Sequence, residues 1–257
     1  MRERVVMSQT IRHRRIVFMG AVPAVWALLW IAGCTPPRTV LVTGFWPPTN
    51  EMLRGFSEDA TVNPSGWQGK NWQGSGYDVY AFFPEFPNGT AAQPSGQGDF
   101  EVDYQAVRED FDRLIKKLNP AVILCYGRGD GPWEIETQAV FFASWINDYR
   151  PPQQPEWPGW FDYPAGTKLA LTLPAEAIER AVRASVSDLN VWIDHQGDPG
   201  GFLCGYLAFL AADYQARHPA HCKAAGFIHV AGDVDLPTAK RAHEATLAAV
   251  IKAMDER

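Results

Sequence analysis

The sequence predicts an α/β protein, a sandwich of helices around a largely parallel β-sheet. Short apolar runs rich in β-branched residues alternate along the chain with segments of helical periodicity. The runs are apolar throughout, which is typical of strands covered on both faces of a sheet. The 257 residues, 46% of them hydrophobic, are enough for one domain with a sizeable buried core.

The predicted elements follow one another in order along the chain. Six apolar runs are predicted strands: 39–45, 79–83, 121–126, 169–173, 191–193 and 226–230. Four segments place apolar residues at steps of three and four positions and are predicted helices: 104–118, 174–186, 206–214 and 242–254. Pro174 suits the first turn of its helix, because an N–H group there has no intrahelical partner to lose.

Two segments, 84–99 and 149–166, fit neither pattern. Both are rich in proline and too long to be simple connections. Long loops in compact domains are often lids or binding walls. The second segment also contains Trp157 and Trp160, so a surface loop pinned by tryptophans and without a ligand role explains it equally well.

The charge is divided unevenly between the start of the chain and the remainder. The first 33 residues contain five Arg and one Glu, a net charge of +4. Because the whole chain carries −6, the remaining 224 residues carry −10. A body this acidic excludes nucleic acid as an expected partner, since such proteins present clustered Lys and Arg.

The first 33 residues have the layout of an export signal. Arginines at the start are followed by 16–33, which contains no charge, and Pro23 interrupts the apolar run. The run ends in Ile-Ala-Gly before Cys34, which resembles the bacterial lipobox. We therefore expect a lipoprotein signal peptide over 1–33 and a single domain over 34–257. The protein would be exported and held to the membrane of the bacterial cell envelope by a lipid on Cys34. A transmembrane anchor is the alternative.

Cys204 and His229 are the candidates for chemistry. Cys204 follows a Gly-Gly-Phe-Leu segment and begins a helical stretch, where backbone N–H groups and the helix dipole favour a thiolate. His229 ends an apolar strand, and open α/β enzymes hold their active sites at the carboxyl ends of strands. Each residue alone is also explained by a structural role. Together they form a thiol–imidazole pair suited to nucleophilic catalysis.

The other cysteines have no predicted chemical role. Cys125 lies inside an apolar strand and is most simply a small core residue. Cys222 has the option of a disulfide, but its partner is not evident from the sequence. We expect no metal, because no His, Cys or Asp cluster has convincing ligand spacing. We also expect no cofactor, and the glycines near Arg128 lack the lysine of a phosphate-binding loop.

Several segments together resemble the pyroglutamyl-peptidase I family of cysteine peptidases. They occur in the family's order: V-L-V-T-G-F at 40–45, V-N-P-S at 62–65, the glycine-rich 127–131, D-P-G-G-F-L-C at 198–204 and F-I-H-V at 227–230. The resemblance implies a three-layer α/β/α sandwich with a mostly parallel mixed sheet. It also implies that Cys204 is the nucleophile and His229 the general base. The substrate would be a peptide or small amide blocked by an N-terminal pyroglutamyl or related group.

The chain departs from the family pattern at two places: the acidic residue that would orient the catalytic histidine, and the substrate pocket. Aligned on Ile135 and Val140, the family's catalytic Glu falls on Gln138. We expect Gln138 to orient His229, as an amide does in papain-like enzymes. Glu134 or Glu136 is the alternative, although residues two apart on a helix point in different directions.

The pocket is also altered. Arg128 stands where the family often has a Gln, and Pro48 replaces a Phe. We expect Phe45, Phe202 and Leu203 to form apolar walls. Arg128 would contact a polar or anionic group of the substrate, or is simply exposed.

Three hypotheses follow from these departures. The chain is a thiol hydrolase with an altered substrate, an unchanged pyroglutamyl peptidase, or a lipid-anchored binding protein built on a disabled enzyme.

Overall fold

A computed structural model describes residues 38–129, 131, 133–156 and 163–256 of the chain. These residues belong to one compact unit, Pro36–Arg257. The predicted signal peptide, Cys34, Trp157 and Trp160 lie outside the described residues. Among the helices described, none is long and apolar enough to cross a membrane.

The elements alternate as predicted. The strands are β1 Arg38–Gly44, β2 Tyr77–Phe82, β3 Pro84–Glu85, β4 Gln97–Gly98, β5 Val122–Gly129, β6 Trp133–Glu136, β7 Gln138–Val140, β8 Lys168–Ala170, β9 Trp192–Asp194 and β10 Ala224–Ala231. The α-helices are α1 Tyr104–Leu118, α2 Ala175–Ser185, α3 Leu203–Arg217 and α4 Leu236–Asp255. Two short 3-10 helices span Glu51–Phe56 and Trp72–Gly74.

Six strands form the central sheet in the order β2-β1-β5-β10-β6-β9. The first four are parallel, whereas β6 pairs with β10 in the antiparallel direction and β9 continues parallel to β6. His229 on β10 is therefore opposite Gly127 on β5 and opposite Glu134 on β6. The reversed strand brings acidic side chains beside the histidine.

Helices cover both faces of the sheet. Val122 and Leu124 of β5 lie in one buried cluster, which also contains the inner faces of α2 and α4. Ile123 and Cys125, the intervening residues of β5, lie in a second cluster with α1 and α3. Because neighbouring side chains on a strand point to opposite faces, a strand buried on both sides must be apolar throughout. The predicted three-layer α/β/α sandwich with a mostly parallel mixed sheet is confirmed.

Local sequence explains where the helices around the site begin. The Asp103 carboxylate accepts hydrogen bonds from the backbone N–H groups of Gln105 and Ala106 and so caps α1. At α3, no described side chain caps the first turn, and the preceding Gly200 has φ +81°. This sharp entry starts α3 at Leu203, three residues earlier than its apolar stripe predicts. Cys204 thus lies in the first turn.

Two parts of the predicted sheet need correction. The run 169–173 forms only the short strand β8, which pairs with β7 outside the central sheet. The segment after Gly131, interpreted from sequence as helical, instead forms β6 and β7. In β6, Trp133 and Ile135 are buried, and the two glutamates occupy the alternate positions. That alternation of apolar and polar residues is the period of a strand.

Candidate active site

The Cys204 thiol lies close to the β5 backbone at the carboxyl end of the parallel strands. The residue is 5% exposed. A Cβ atom built on Gly127 would lie 2.6 Å from Cys204 Sγ and 2.8 Å from Cζ of Phe227. Any side chain at position 127 would therefore displace the thiol. The close approach of the thiol to the β5 backbone explains why position 127, the first of the glycine-rich segment, is a glycine.

His229 lies between a thiol and a carboxylate. Its Nδ1–H donates to Oε1 of Glu136 at 2.8 Å, and the Cys204 thiol is close enough to raise the pKa of the ring. A Cβ atom on Gly129 would come within 2.8 Å of His229 Cβ, so the second glycine makes room for the imidazole. The arrangement matches the order nucleophile, base and orienting acid of an activated nucleophile.

Burial and charge act in opposite directions on this imidazole. Burial disfavours the imidazolium, but the hydrogen bonds and the negative charges available on Cys204 and Glu136 outweigh it, so the pKa of His229 is raised. Burial also raises the pKa of Glu136, against the lowering effect of its bond to His229. The site therefore stabilises a protonated imidazole between two groups that carry negative charge when ionised.

The expectation that Gln138 orients His229 is wrong in its geometry. The Gln138 amide donates from Nε2 to the backbone carbonyls of Gln196 and Gly197, at 2.8 and 2.6 Å. The physical reason is that the chain leaves the central sheet at Thr137, so Gln138 belongs to β7 and faces the loop before Cys204. Glu136, still on β6, takes the position beside the histidine. The alternation of Glu134, Ile135 and Glu136 was the signal for a strand, on which residues two apart share a face.

The predicted apolar walls divide into buried and accessible residues. Phe45 and Leu203 are 1% and 0% exposed and pack in the same core cluster as Cys204, so they support the site from beneath. Phe202 is partly exposed, and its ring stacks on Trp46 with centroids 6.1 Å apart and planes 10° from parallel. The Arg128 guanidinium carbon lies 5.6 Å from the centroid of the Trp46 ring. Sequence reasoning missed Trp46, which immediately follows Phe45.

The start of α3 offers backbone donors near the thiol. The first N–H groups of an α-helix have no intrahelical acceptor. They also lie at the positive end of the helix dipole. Cys204 is the second residue of α3, so these groups and the thiol occupy the same turn. Such donors are suited to stabilising an oxyanion that forms when the thiol attacks a carbonyl.

One group of side chains in the described part of the chain has the composition of a metal site. Ligand atoms of Glu134, Glu136 and His229 lie within 4.8 Å of one another. A cation there would compete with the hydrogen bond between His229 and Glu136. The expectation of no metal stays a prediction.

The remaining cysteines are separate from the site. Within the described residues Cys125, Cys204 and Cys222 are all buried free thiols, so Cys222 has no disulfide partner among them. Burial raises the pKa of both Cys125 and Cys222 to about 12.

Solved structures with the same fold are known. A pyrrolidone carboxyl peptidase from Thermococcus litoralis aligns with 85% of this chain and 96% of its own, at 18% identity and a TM-score of 0.62. A mutant pyrrolidone carboxyl peptidase from Pyrococcus furiosus aligns with 84% and 99%, at 16% identity and a TM-score of 0.59. Pyroglutamyl peptidase I from Bacillus amyloliquefaciens aligns with 84% and 97%, at 18% identity and a TM-score of 0.57.

Sequence comparisons add no closer relative. No family model and no curated protein matches the chain. At 16–18% identity the structural likeness establishes the fold and leaves the chemistry to the site itself. The chain has the α/β fold of pyroglutamyl peptidase I.

Proposed function

We propose that this chain is a cysteine hydrolase that cleaves an amide next to an N-terminal blocking group, such as pyroglutamyl. The observation that carries the proposal is the placement of His229 between the Cys204 thiol and the Glu136 carboxylate at the carboxyl edge of the sheet. The fold shared with solved pyroglutamyl peptidases supports a substrate of this class.

The proposed reaction has two steps. The Cys204 thiolate adds to the amide carbonyl, and N–H groups at the start of α3 stabilise the oxyanion. The C–N bond then breaks, the electron pair leaves with the amine, and His229 supplies the proton that the amine takes. Water, deprotonated by His229, hydrolyses the resulting thioester, releases the acid and restores the thiol. Glu136 keeps Nδ1 protonated and stabilises the imidazolium.

The alternative of a binding protein on a disabled scaffold depended on a missing acid. Glu136 occupies the orienting position, so the substitution at Gln138 no longer argues against catalysis. A binding role without turnover is then the outcome to be tested, with no observation that favours it.

Attachment to the cell envelope is a separate part of the proposal. We infer from the lipobox-like sequence that Cys34 carries a lipid and that the domain acts on the periplasmic side of the membrane. A Cys34→Ala variant is expected to lose incorporation of a labelled fatty acid. Equal labelling of the variant and the wild type would refute this attachment.

Thiol reactivity tests the catalytic part directly. We expect iodoacetamide to modify Cys204 rapidly near pH 6, because the neighbouring imidazolium stabilises the thiolate. The rate is expected to fall in His229→Ala, and Cys204→Ser should remove the fast phase. Hydrolysis of pyroglutamyl or related amides should depend on the same residues. An ordinary thiol rate together with no amide turnover would leave the binding role as the function.

A further inference from the structure

Trp46 occupies a strained position against Phe202, two residues before Cys204 in the chain. Its backbone φ is +45°, a left-handed conformation that is unfavourable for a bulky residue. The residue is held there by its Nε1–H, which donates to the Pro94 carbonyl at 3.0 Å, and by its own carbonyl, which accepts from the Thr49 N–H at 2.9 Å. Backbone strain of this kind clusters at functional sites, which makes Trp46 a candidate for a functional role.

Phe202, Trp46 and Arg128 form a layered surface, which we call the aromatic–arginine layer. Phe202 is the residue that precedes α3, two positions before Cys204, and it stacks on Trp46. Arg128 covers the Trp46 ring with its guanidinium. The aromatic–arginine layer therefore extends from Phe202, at the start of the helix that carries Cys204, to Arg128 at the end of β5.

Arg128 is exposed near the end of β5. Over the ranges 38–129, 131, 133–156 and 163–256, no carboxylate forms an ion pair with it. The carboxylates of the site lie on the other side of His229, with Glu134 and Glu136 on β6. The site thus separates a cation on the β1 and β5 side from acids on the β6 side.

A guanidinium selects a particular kind of acyl group. Arginine has only donors, in a fork that matches a carboxylate. A lactam presents both an acceptor and an N–H donor, and its N–H finds no acceptor on a guanidinium. A carboxylate satisfies the fork completely, and its charge is attracted by the guanidinium.

From this geometry we propose that the preferred substrates are amides whose acyl part carries a carboxylate at its far end. The acyl group would lie along the rings of Phe202 and Trp46, with its carboxylate on Arg128 and its carbonyl at Cys204. This inference rests on the proposed hydrolase function and names its substrate class.

Matched amides of one fluorescent amine, 7-amino-4-methylcoumarin, test the proposal on the full-length protein. The acyl groups are glutaryl and succinyl, which carry the carboxylate, neutral butyryl, and pyroglutamyl. Because Arg128 is exposed, solvent screening limits the gain to the lower end of the range for a hydrogen bond to a charged group, and we expect a kcat/KM about 10 times higher for the better carboxylate substrate than for butyryl. Arg128→Met should bring that ratio to about one. Arg128→Lys should restore part of it, since lysine keeps the charge without the fork.

The control is Arg180→Met, an exposed arginine on α2, which should leave the ratio as in the wild type. A wild-type ratio near one, or an unchanged ratio in Arg128→Met, overturns the proposal. Absence of turnover with all four amides together with an ordinary Cys204 thiol overturns the hydrolase function instead. Binding of glutaric acid monoamide to Cys204→Ser, measured by calorimetry, then decides the ligand class. Weaker binding after Arg128→Met supports the proposal, and equal or undetectable binding refutes it.

Discussion

Replacing Glu136 by Gln is the sharpest test of the candidate site. The substitution keeps the size of the side chain and removes a charge that is 2% exposed and hydrogen-bonded to His229 Nδ1 at 2.8 Å. A hydrogen bond to a charged group is worth about 1.5–3 kcal/mol, which corresponds to a loss of about 10- to 150-fold in kcat/KM. If the amide turns its N–H toward Nδ1 and holds the other tautomer, the loss approaches about 10⁴.

The same substitution changes the pH dependence in a defined direction. Glu136 is one of the groups that raise the pKa of His229, so its neutralisation lowers that pKa. The amine leaves with the proton of the imidazolium, and activity falls once this proton is lost. We therefore expect the upper limb of the kcat/KM profile to move to lower pH in Glu136→Gln, as measured from pH 5 to pH 10 with the preferred amide.

Gln138 supplies the matched comparison. Because its amide donates to two backbone carbonyls of the loop before Cys204, Gln138→Glu removes both donations and turns a carboxylate toward two carbonyl oxygens. The variant should lose stability and gain no activity. An unchanged Glu136→Gln together with a steep gain in Gln138→Glu would refute our assignment of the orienting acid.

Three further predictions follow from buried groups. Gly127→Ala should slow the alkylation of Cys204 at least tenfold, because the added Cβ would lie 2.6 Å from Cys204 Sγ. The control is Gly201→Ala, whose Cβ meets no atom within 4 Å and which should change the rate less than threefold. Iodoacetamide at neutral pH followed by mass spectrometry should label Cys204 in the native protein and leave Cys222, whose pKa is about 12, unlabelled until unfolding; equal labelling would contradict the assignment. Burial lowers the pKa of His243 to about 3, so at intermediate pH the unfolded chain binds a proton that the native protein does not. The free energy of unfolding is therefore highest above about pH 6.5 and falls by up to about 1.4 kcal/mol per pH unit as the pH drops toward 3. Urea unfolding at pH 7 and pH 5 should show a smaller loss in His243→Asn, and an equal loss would exclude His243 as the cause.

Residue patterns were sufficient for the elements that form the core. Strands β1, β5 and β10 are buried on both faces, so each must be apolar throughout, and that requirement is visible in a single segment. The buried apolar face of α1 is also recognisable from a single segment, because residues on one face of a helix recur every 3.6 positions. The position of the candidate nucleophile Cys204 was also predictable from the sequence, because glycines followed by a cysteine at the start of an apolar helical stretch indicate a helix N-terminus.

The identity of the third site residue depended on tertiary structure. Glu134, Glu136 and Gln138 are all polar residues within five positions, and their local sequence does not say which one faces His229. The decision is made by the antiparallel pairing of β6 with β10, and by the departure of the chain from the sheet at Thr137. Both are consequences of hydrogen bonds between segments that are distant in the chain, with β6 paired to β10 and β7 paired to β8.

The sequence by itself determined that this is an α/β sandwich with a cysteine and a histidine at the ends of its central elements, because periodicity and burial are local properties. Only the tertiary structure decided that Glu136 is the residue hydrogen-bonded to His229. It also showed that Trp46 and Arg128 build one surface with Phe202. These contacts join β6 to β10, and join β5 to the segments that follow β1 and precede α3. A contact between distant segments leaves no repeating pattern in either of them.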